Sequence, residues 1–378
     1  MAKIDAFFRL MKAQGASDLH MAAGNVPALR IKGELQRVKY KELEDEELQE
    51  LLYEICPEHK VKVFEETGDV DFAYPLEGIG RFRANYFKQN NGVGAVFRQI
   101  PSEILTVDQL GLPQVARRFA NLNKGLVVVT GPTGSGKSTT LAAIIDHANK
   151  LRKDHILTIE DPVEFVHQSY NCLVNHREVG KHTQSFGAAL RGALREDPDI
   201  IMVGEMRDQE TIALALETAA TGHLVFGTLH TQSAAKTIDR IIEVFPAGMQ
   251  EQVRNTLADT LKGVIAQNLF KKKGGKGRVC AQEILVHTPA VSSLVREHKT
   301  HQLINIIQTN KRMGMCTLDD AIQNLLDKDL ITPEDAFEKS ISKERFVGFL
   351  KEIPEEYKEM FKKHTAEEQE EEEKEKKK

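Results

Sequence analysis

The chain has 378 residues, 51 Lys and Arg against 56 Asp and Glu, a formal charge of −5 and a pI near 6.3. That length has room for two or three domains with a substantial core, and the acidic balance gives no global case for nucleic-acid binding. No run approaches the roughly eighteen apolar residues of a membrane span, and the N-terminus MAKIDAFFRLMKAQG lacks the apolar core and cleavage site of a secretory signal. Cys56, Cys172, Cys280 and Cys316 stand apart without a C-x-x-C pair, which argues against a zinc module and suits free thiols in a reducing cytoplasm.

In chain order, residues 3–14 place Ile4, Phe7, Phe8, Leu10 and Met11 at helical spacing. Past Ala16-Ser17-Asp18-Leu19-His20, short β-like segments at 27–31 and 35–38 flank a turn at Gly33. Residues 44–55 form a charged amphipathic helix that Pro57 closes. Residues 70–74, 80–88 and 92–98 read as strands divided by glycines and Asn90-Asn91. Residues 1–100 are therefore expected to be a small α+β domain, 101–121 a linker, 122–350 an α/β domain and 351–378 a charged tail. Arg81 and Arg83, two apart on one strand, leave the same face. With Arg98 they form either a solvated basic face or a set that reaches nucleotide phosphates.

The strongest local signal is Leu126-Val127-Val128-Val129 feeding Gly131-Pro132-Thr133-Gly134-Ser135-Gly136-Lys137-Ser138, with Thr139, Thr140 and Leu141 opening a helix. This is G-x-x-x-x-G-K-[ST] in its strand–turn–helix setting. Glycines allow a tight turn whose N–H groups converge on an anion, and the helix start adds its positive end. Lys137 is the residue type that reaches β/γ-phosphates, and the Ser138 hydroxyl is the type that ligates Mg²⁺. A second apolar segment ends Ile159-Glu160-Asp161-Pro162-Val163-Glu164, putting carboxylates where open α/β sheets bind ligands. A third, 200–203, ends in Gly204-Glu205-Met206-Arg207-Asp208; the acid normally first in such a strand is replaced by Gly204, so Glu205 is the candidate to polarise water or hold Mg²⁺ through water. A fourth, 222–231, carries His223 and His230 seven apart. On a continuous strand these face opposite sides and cannot form a metal pair; His230 is either structural or a sensor of the γ-phosphate. Lys271-Lys272-Lys273-Gly274-Gly275-Lys276-Gly277-Arg278 is a solvated hairpin tip or a contact for nucleic acid or anionic lipid. Residues 288–350 are helical in pattern, with breaks near Met313-Gly314 and Thr332-Pro333.

In order and spacing the four blocks resemble the secretion ATPase superfamily, and among its branches the PilT-type retraction motors of type IV pili. The blocks are its Walker A (131–138), aspartate box (159–164), atypical Walker B (197–208) and histidine box (222–231). The N-terminal Gly15-Ala16-Ser17-Asp18-Leu19-His20 and Gly80-Arg81-Phe82-Arg83 also look like that branch, and the likeness covers about residues 1–345. The resemblance implies a RecA-like P-loop ATPase core with a PAS-like N-terminal domain, assembled as a homohexamer that uses ATP and Mg²⁺. It further implies Glu205 as catalytic glutamate, Glu160 and Asp161 placing Mg²⁺ and water, and His230 lining the site. Arg81, Arg83 and Arg98 would reach nucleotide at the subunit interface. Implied partners are an inner-membrane pilus platform protein (PilC-like) and a paralogous retraction ATPase, at the cytoplasmic face of the inner membrane, with no nucleic acid. Where the branch carries Ala-Ile-Arg-Asn-Leu-Ile-Arg-Glu this chain has Ala290-Val291-Ser292-Ser293-Leu294-Val295-Arg296-Glu297, which leaves PilT itself and its PilU-like paralogue both open. Assembly and type II secretion ATPases share the chemistry, and a nucleic-acid-dependent RecA-like motor or a non-hydrolysing regulator are the remaining rivals.

Overall fold

The computed structural model describes residues 2–100, 103–275, 277–355 and 357–358. The expected tail over 351–378 lies largely outside the described residues. The chain divides into two compact units, one of residues up to Thr106 with Ile145–Gly204, the other of Val107–Ile144 with the chain from Glu205 onward.

The first unit begins with α1 (Asp5–Gln14), β1 (Asp18–Ala22), β2 (Ala28–Ile31), β3 (Glu34–Arg37), α2 (Asp45–Tyr53), α3 (Glu58–Thr67), β4 (Asp69–Leu76), β5 (Gly80–Gln89) and β6 (Gly92–Ile100). The strands form one antiparallel sheet in the order β3-β2-β1-β6-β5-β4. Two of these elements escape the sequence reading. β1 is a central strand although its Asp18-Leu19-His20 start is half polar, because Leu19 and Met21 face the core while Asp18 and His20 face away. Pro57 does not close a helix; it caps the next one, α3, with its fixed φ of −59°. Gly15 ends α1 at φ 63°, the left-handed position that a helix C-terminus favours. The core is aromatic: Phe8 stacks on Phe82 at 4.3 Å and meets Phe97 edge-on at 5.0 Å, while the buried Tyr86 hydroxyl donates to the Leu52 carbonyl at 2.9 Å.

In chain order follow α4 (Gln114–Ala120), β7 (Gly125–Thr130), α5 (Lys137–Leu151), β8 (His155–Glu160), β9 (Leu173–Glu178), α6 (Phe186–Ala193), β10 (Ile200–Val203), α7 (Gln209–Ala220), β11 (Leu224–Leu229), α8 (Ala234–Glu243), α9 (Ala247–Thr260), β12 (Leu261–Lys271) and β13 (Arg278–Val286). In the first unit β10, β8 and β9 pair in parallel. In the second, β11, β7 and β12 pair in parallel and β13 closes onto β12 antiparallel. β7, β10 and β11 are buried along their whole length, the pattern of strands covered on both faces. Hydroxyl and carboxylate caps fix the helix starts: Ser185 on α6, Asp208 on α7 and Ser233 on α8 each accept an N–H three residues on.

Helices α10 (Pro289–Arg296), α11 (Leu303–Thr309), α12 (Leu318–Asp327), α13 (Pro333–Lys339) and α14 (Lys343–Val347) complete the chain. The expected breaks fall where Gly314 takes φ 91° and where Thr332 caps α13 with Pro333 at its first turn. The basic loop is the β12–β13 hairpin tip; Lys273 pairs with Asp329 and donates its N–H to Leu330, and Lys276 lies outside the described residues.

Candidate active site

In the second unit, residues 131–138 leave the buried strand β7 and turn into α5. Gly131 sits at φ 144°, Gly134 at 78° and Gly136 at 89°, conformations that side-chain-bearing residues rarely adopt. A Cβ on Gly131 would lie 2.3 Å from the Gln267 carbonyl oxygen, so the loop is pressed against β12. Gln267, buried on β12, braces it from below: Nε2 donates to the Ser135 carbonyl at 2.6 Å and Oε1 accepts from Thr140 Oγ1 at 2.9 Å. Pro132, Thr133 and Gly134 are exposed at the rim, and Ser138 and Thr139 are half-buried at the start of α5.

Lys137 Nζ donates to the Gly131 and Pro132 carbonyls at 3.0 and 3.2 Å and lies 3.4 Å from His230 Nδ1. His230 Nε2 is in turn 2.9 Å from Glu205 Oε1, to which Arg207 Nε also bonds at 2.5 Å. Desolvation opposes the Glu205 charge, but Arg207 and then His230 outweigh it and hold the carboxyl below its usual range. The loop carrying His230 is pinned where Thr130 Oγ1 donates to the Thr231 carbonyl at 2.7 Å. Three separate motif blocks therefore converge on one chain of contacts, Lys137–His230–Glu205. The parity argument for the two histidines fails because β11 stops at Leu229: neither histidine is on the strand, and His223 instead lies against the Thr218 carbonyl at 3.1 Å.

These residues fit a nucleotide's phosphates: a left-handed glycine turn at a helix start, a lysine above it, and a buried Ser135 Oγ with no hydrogen-bond partner in the described residues.

In the first unit, β8 delivers Glu160 and Asp161. Glu160 is only 7 % exposed; Oε2 accepts from the Glu164 N–H at 3.2 Å and Oε1 has no hydrogen-bond partner among the described residues. Gly204 explains the atypical Walker B pattern. A Cβ there would meet the Ile159 carbonyl oxygen at 3.2 Å and Glu160 Cα at 3.3 Å, both backbone atoms that cannot swing aside. A side chain at 204 would therefore sit tightly against the Glu160 backbone, which would have to give by a few tenths of an ångström. Asp161 follows at a cis peptide to Pro162, its carboxyl raised by desolvation, with Lys60 and Arg83 opposing and Asp71 and Glu178 adding to the shift.

The three arginines share one face of the six-stranded sheet, Arg83 and Arg98 as cross-strand neighbours. Each already has an acid: Arg81 pairs with Glu178 at 3.0 Å, Arg83 with Asp71 at 3.5 Å and Arg98 with Asp18 at 2.8 Å. Glu178 also accepts the Val163 N–H at 3.1 Å, so Arg81 is tied to the segment that follows Asp161. Sequence reasoning missed Glu178 and Gln267. Gln267 has no local signal, since it meets Ser135 across 132 residues of chain.

Residues 4–334 match the family described as Type II/IV secretion system protein. The chain belongs to that family. Among its relatives is the type IV pilus retraction ATPase PilT of Pseudomonas aeruginosa, 54% identical over 333 residues that cover 88% of this chain and 96% of that protein. The type IV pilus ATPase PilU of the same organism is 40% identical over 88% of this chain and 87% of its own. A solved structure of the pilus retraction motor PilT with bound ADP superposes with a TM-score of 0.83 at 45% identity, covering 91% of this chain and 98% of that one. The family fold is accordingly a RecA-like P-loop ATPase core preceded by an N-terminal domain, and the resemblance to the PilT type stands. Of the two branches left open above, identity is higher to PilT than to PilU.

Proposed function

We propose that this chain is the ATP-hydrolysing subunit of a hexameric motor that powers type IV pilus retraction. The observation that carries the reading is the Lys137–His230–Glu205 contact chain, which assembles phosphate, histidine-box and Walker B residues in one unit. Identity of 54% to a retraction ATPase supplies the cellular task. Residues 122–350 act as the ATPase domain and 1–100 as the domain that closes on a neighbouring subunit.

Residues 131–139 wrap the phosphates and Lys137 leaves its two carbonyls to neutralise them. Ser138, Asp161 and Glu205 would hold Mg²⁺ directly or through water, and the charge it supplies would offset that developing on the phosphates. Glu205, kept ionised by Arg207, orients and polarises the attacking water, Glu160 supports it, and His230 reports the γ-phosphate to the chain after β11. Arg81, Arg83 and Arg98 reach the nucleotide of the adjoining subunit, where closure and reopening make the stroke. The ring works at the cytoplasmic face of the inner membrane on a platform protein, alongside a paralogous ATPase. Among the described residues no helix is long and apolar enough to cross a membrane.

The test is steady-state ATP hydrolysis by the purified chain with its native mass measured with and without nucleotide, followed by pilus retraction in a deletion strain. A hexamer with Mg²⁺-dependent turnover that DNA leaves unchanged, and cells that extend but cannot retract pili, is the expected result. A monomer without turnover, or turnover driven by DNA, overturns it.

A further inference from the structure

Behind the unpartnered oxygen of Glu160 stands a side chain that no motif block contains. His176 of β9 pairs directly with Thr158 of β8, so its ring leaves the sheet on the same side as Thr158 and, two residues on, Glu160. His176 Nδ1 lies 2.7 Å from Thr158 Oγ1 and 3.9 Å from Glu160 Oε1. On the ring's other edge, Nε2 accepts the His167 backbone N–H at 3.0 Å. Nε2 also lies 3.2 Å from the His167 carbonyl oxygen, and Nδ1 is the nitrogen that faces Thr158 and Glu160. The ring is further fixed by stacking on His167 at 5.8 Å and 15°. Both of its nitrogens are engaged, and its Nδ1 edge is turned to the carboxylate.

We propose that His176 is a positioning residue for Glu160, its ring held by Thr158 and the His167 backbone so that the carboxylate keeps Oε2 on the Glu164 N–H and leaves Oε1 free for the reaction. This rests on the reading of Glu160 as a member of the hydrolytic set. It adds a residue outside all four blocks, in a strand the sequence reading did not identify.

The test compares full-length wild type, His176→Leu, His176→Asn and Glu160→Gln for kcat, KM and thermal melting. Leucine fills the space but offers no polar atom, and asparagine returns an amide close to the place of Nδ1. The expected result is that His176→Leu loses about tenfold or more in kcat, the range for residues that orient a ligand-bearing group, with KM within about twofold, and that His176→Asn recovers most of the loss. A wild-type kcat in His176→Leu overturns the proposal. So does an equal loss in both His176 variants, or a KM that rises in step with lowered melting, since either means a merely structural role. Full turnover in Glu160→Gln refutes the underlying role of Glu160, a different failure from a normal His176→Leu beside a crippled Glu160→Gln.

Discussion

Glu205 takes its charge from its neighbours. Partial burial alone would favour the protonated acid, but Arg207 and His230 hold it ionised, and an ionised carboxylate is the form that can polarise water. Glu205→Ala is therefore expected to bind ATP and lose about 10²- to 10⁴-fold in turnover, the usual reach of a general base; near-normal hydrolysis would pass the role to Glu160. Lys137→Ala removes the cation above the glycine turn and should abolish nucleotide binding, read by titration with an ATP analogue. Normal affinity would refute the phosphate site. His167 yields a prediction about stability. Burial, with His176 and Lys150 nearby, pushes its imidazole down to about 3, so the folded chain keeps it neutral where the unfolded chain takes a proton near 6.5. The unfolded state thus binds more protons below that value, and stability is lost as pH falls through 6.5. Between pH 6.5 and 5 this group contributes a loss of about 2 kcal/mol, and His167→Phe should flatten that part of the melting-temperature profile.

At the scale of elements, the phosphate loop is held by a strand distant from it in sequence. Gln267 of β12 satisfies Ser135 and Thr140 at once, so Gln267→Leu would leave both without that partner, at about 1–3 kcal/mol for each buried group. The expected outcome is a lowered melting temperature and a KM for ATP that rises more than kcat falls, read from calorimetry and steady-state kinetics. The strand–turn–helix of β7 and α5 was legible because its period and glycines are local. So were β4 to β6, where turn residues separate apolar alternation. What stayed hidden is non-local. β1 is a strand because β2 and β6 flank it, not because Asp18-Leu19-His20 announces one. The place of His230 depended on where β11 ends, and that is set by the pinning of Thr231 rather than by any breaker residue. Gly204 was visible as a departure from pattern, but its tight approach to the Glu160 backbone at 3.3 Å belongs to strand packing.

At the scale of the whole molecule, the proposed ring adds a neighbour's arginines to the site. Arg81→Ala is expected to leave nucleotide affinity per subunit within about twofold while slowing turnover by tenfold or more, the behaviour of a cation that acts on the transition state. Unchanged turnover would confine Arg81 to its structural tie with Glu178. The three arginines also differ in how firmly they are held. The side chains of Arg98 and Arg83 are 66% and 41% exposed, whereas that of Arg81 is 23% exposed. The Arg83–Asp71 pair, exposed at both ends, is worth about 0–1 kcal/mol, so Arg83 leaves its acid at little cost, whereas Arg81 and Arg98 would each leave a nearly buried carboxylate behind. Engagement is then barter, one anion surrendered for another, and the net grip stays light. A lightly seated tooth is easily lifted again, which suits a ratchet that must reset after every molecule of fuel.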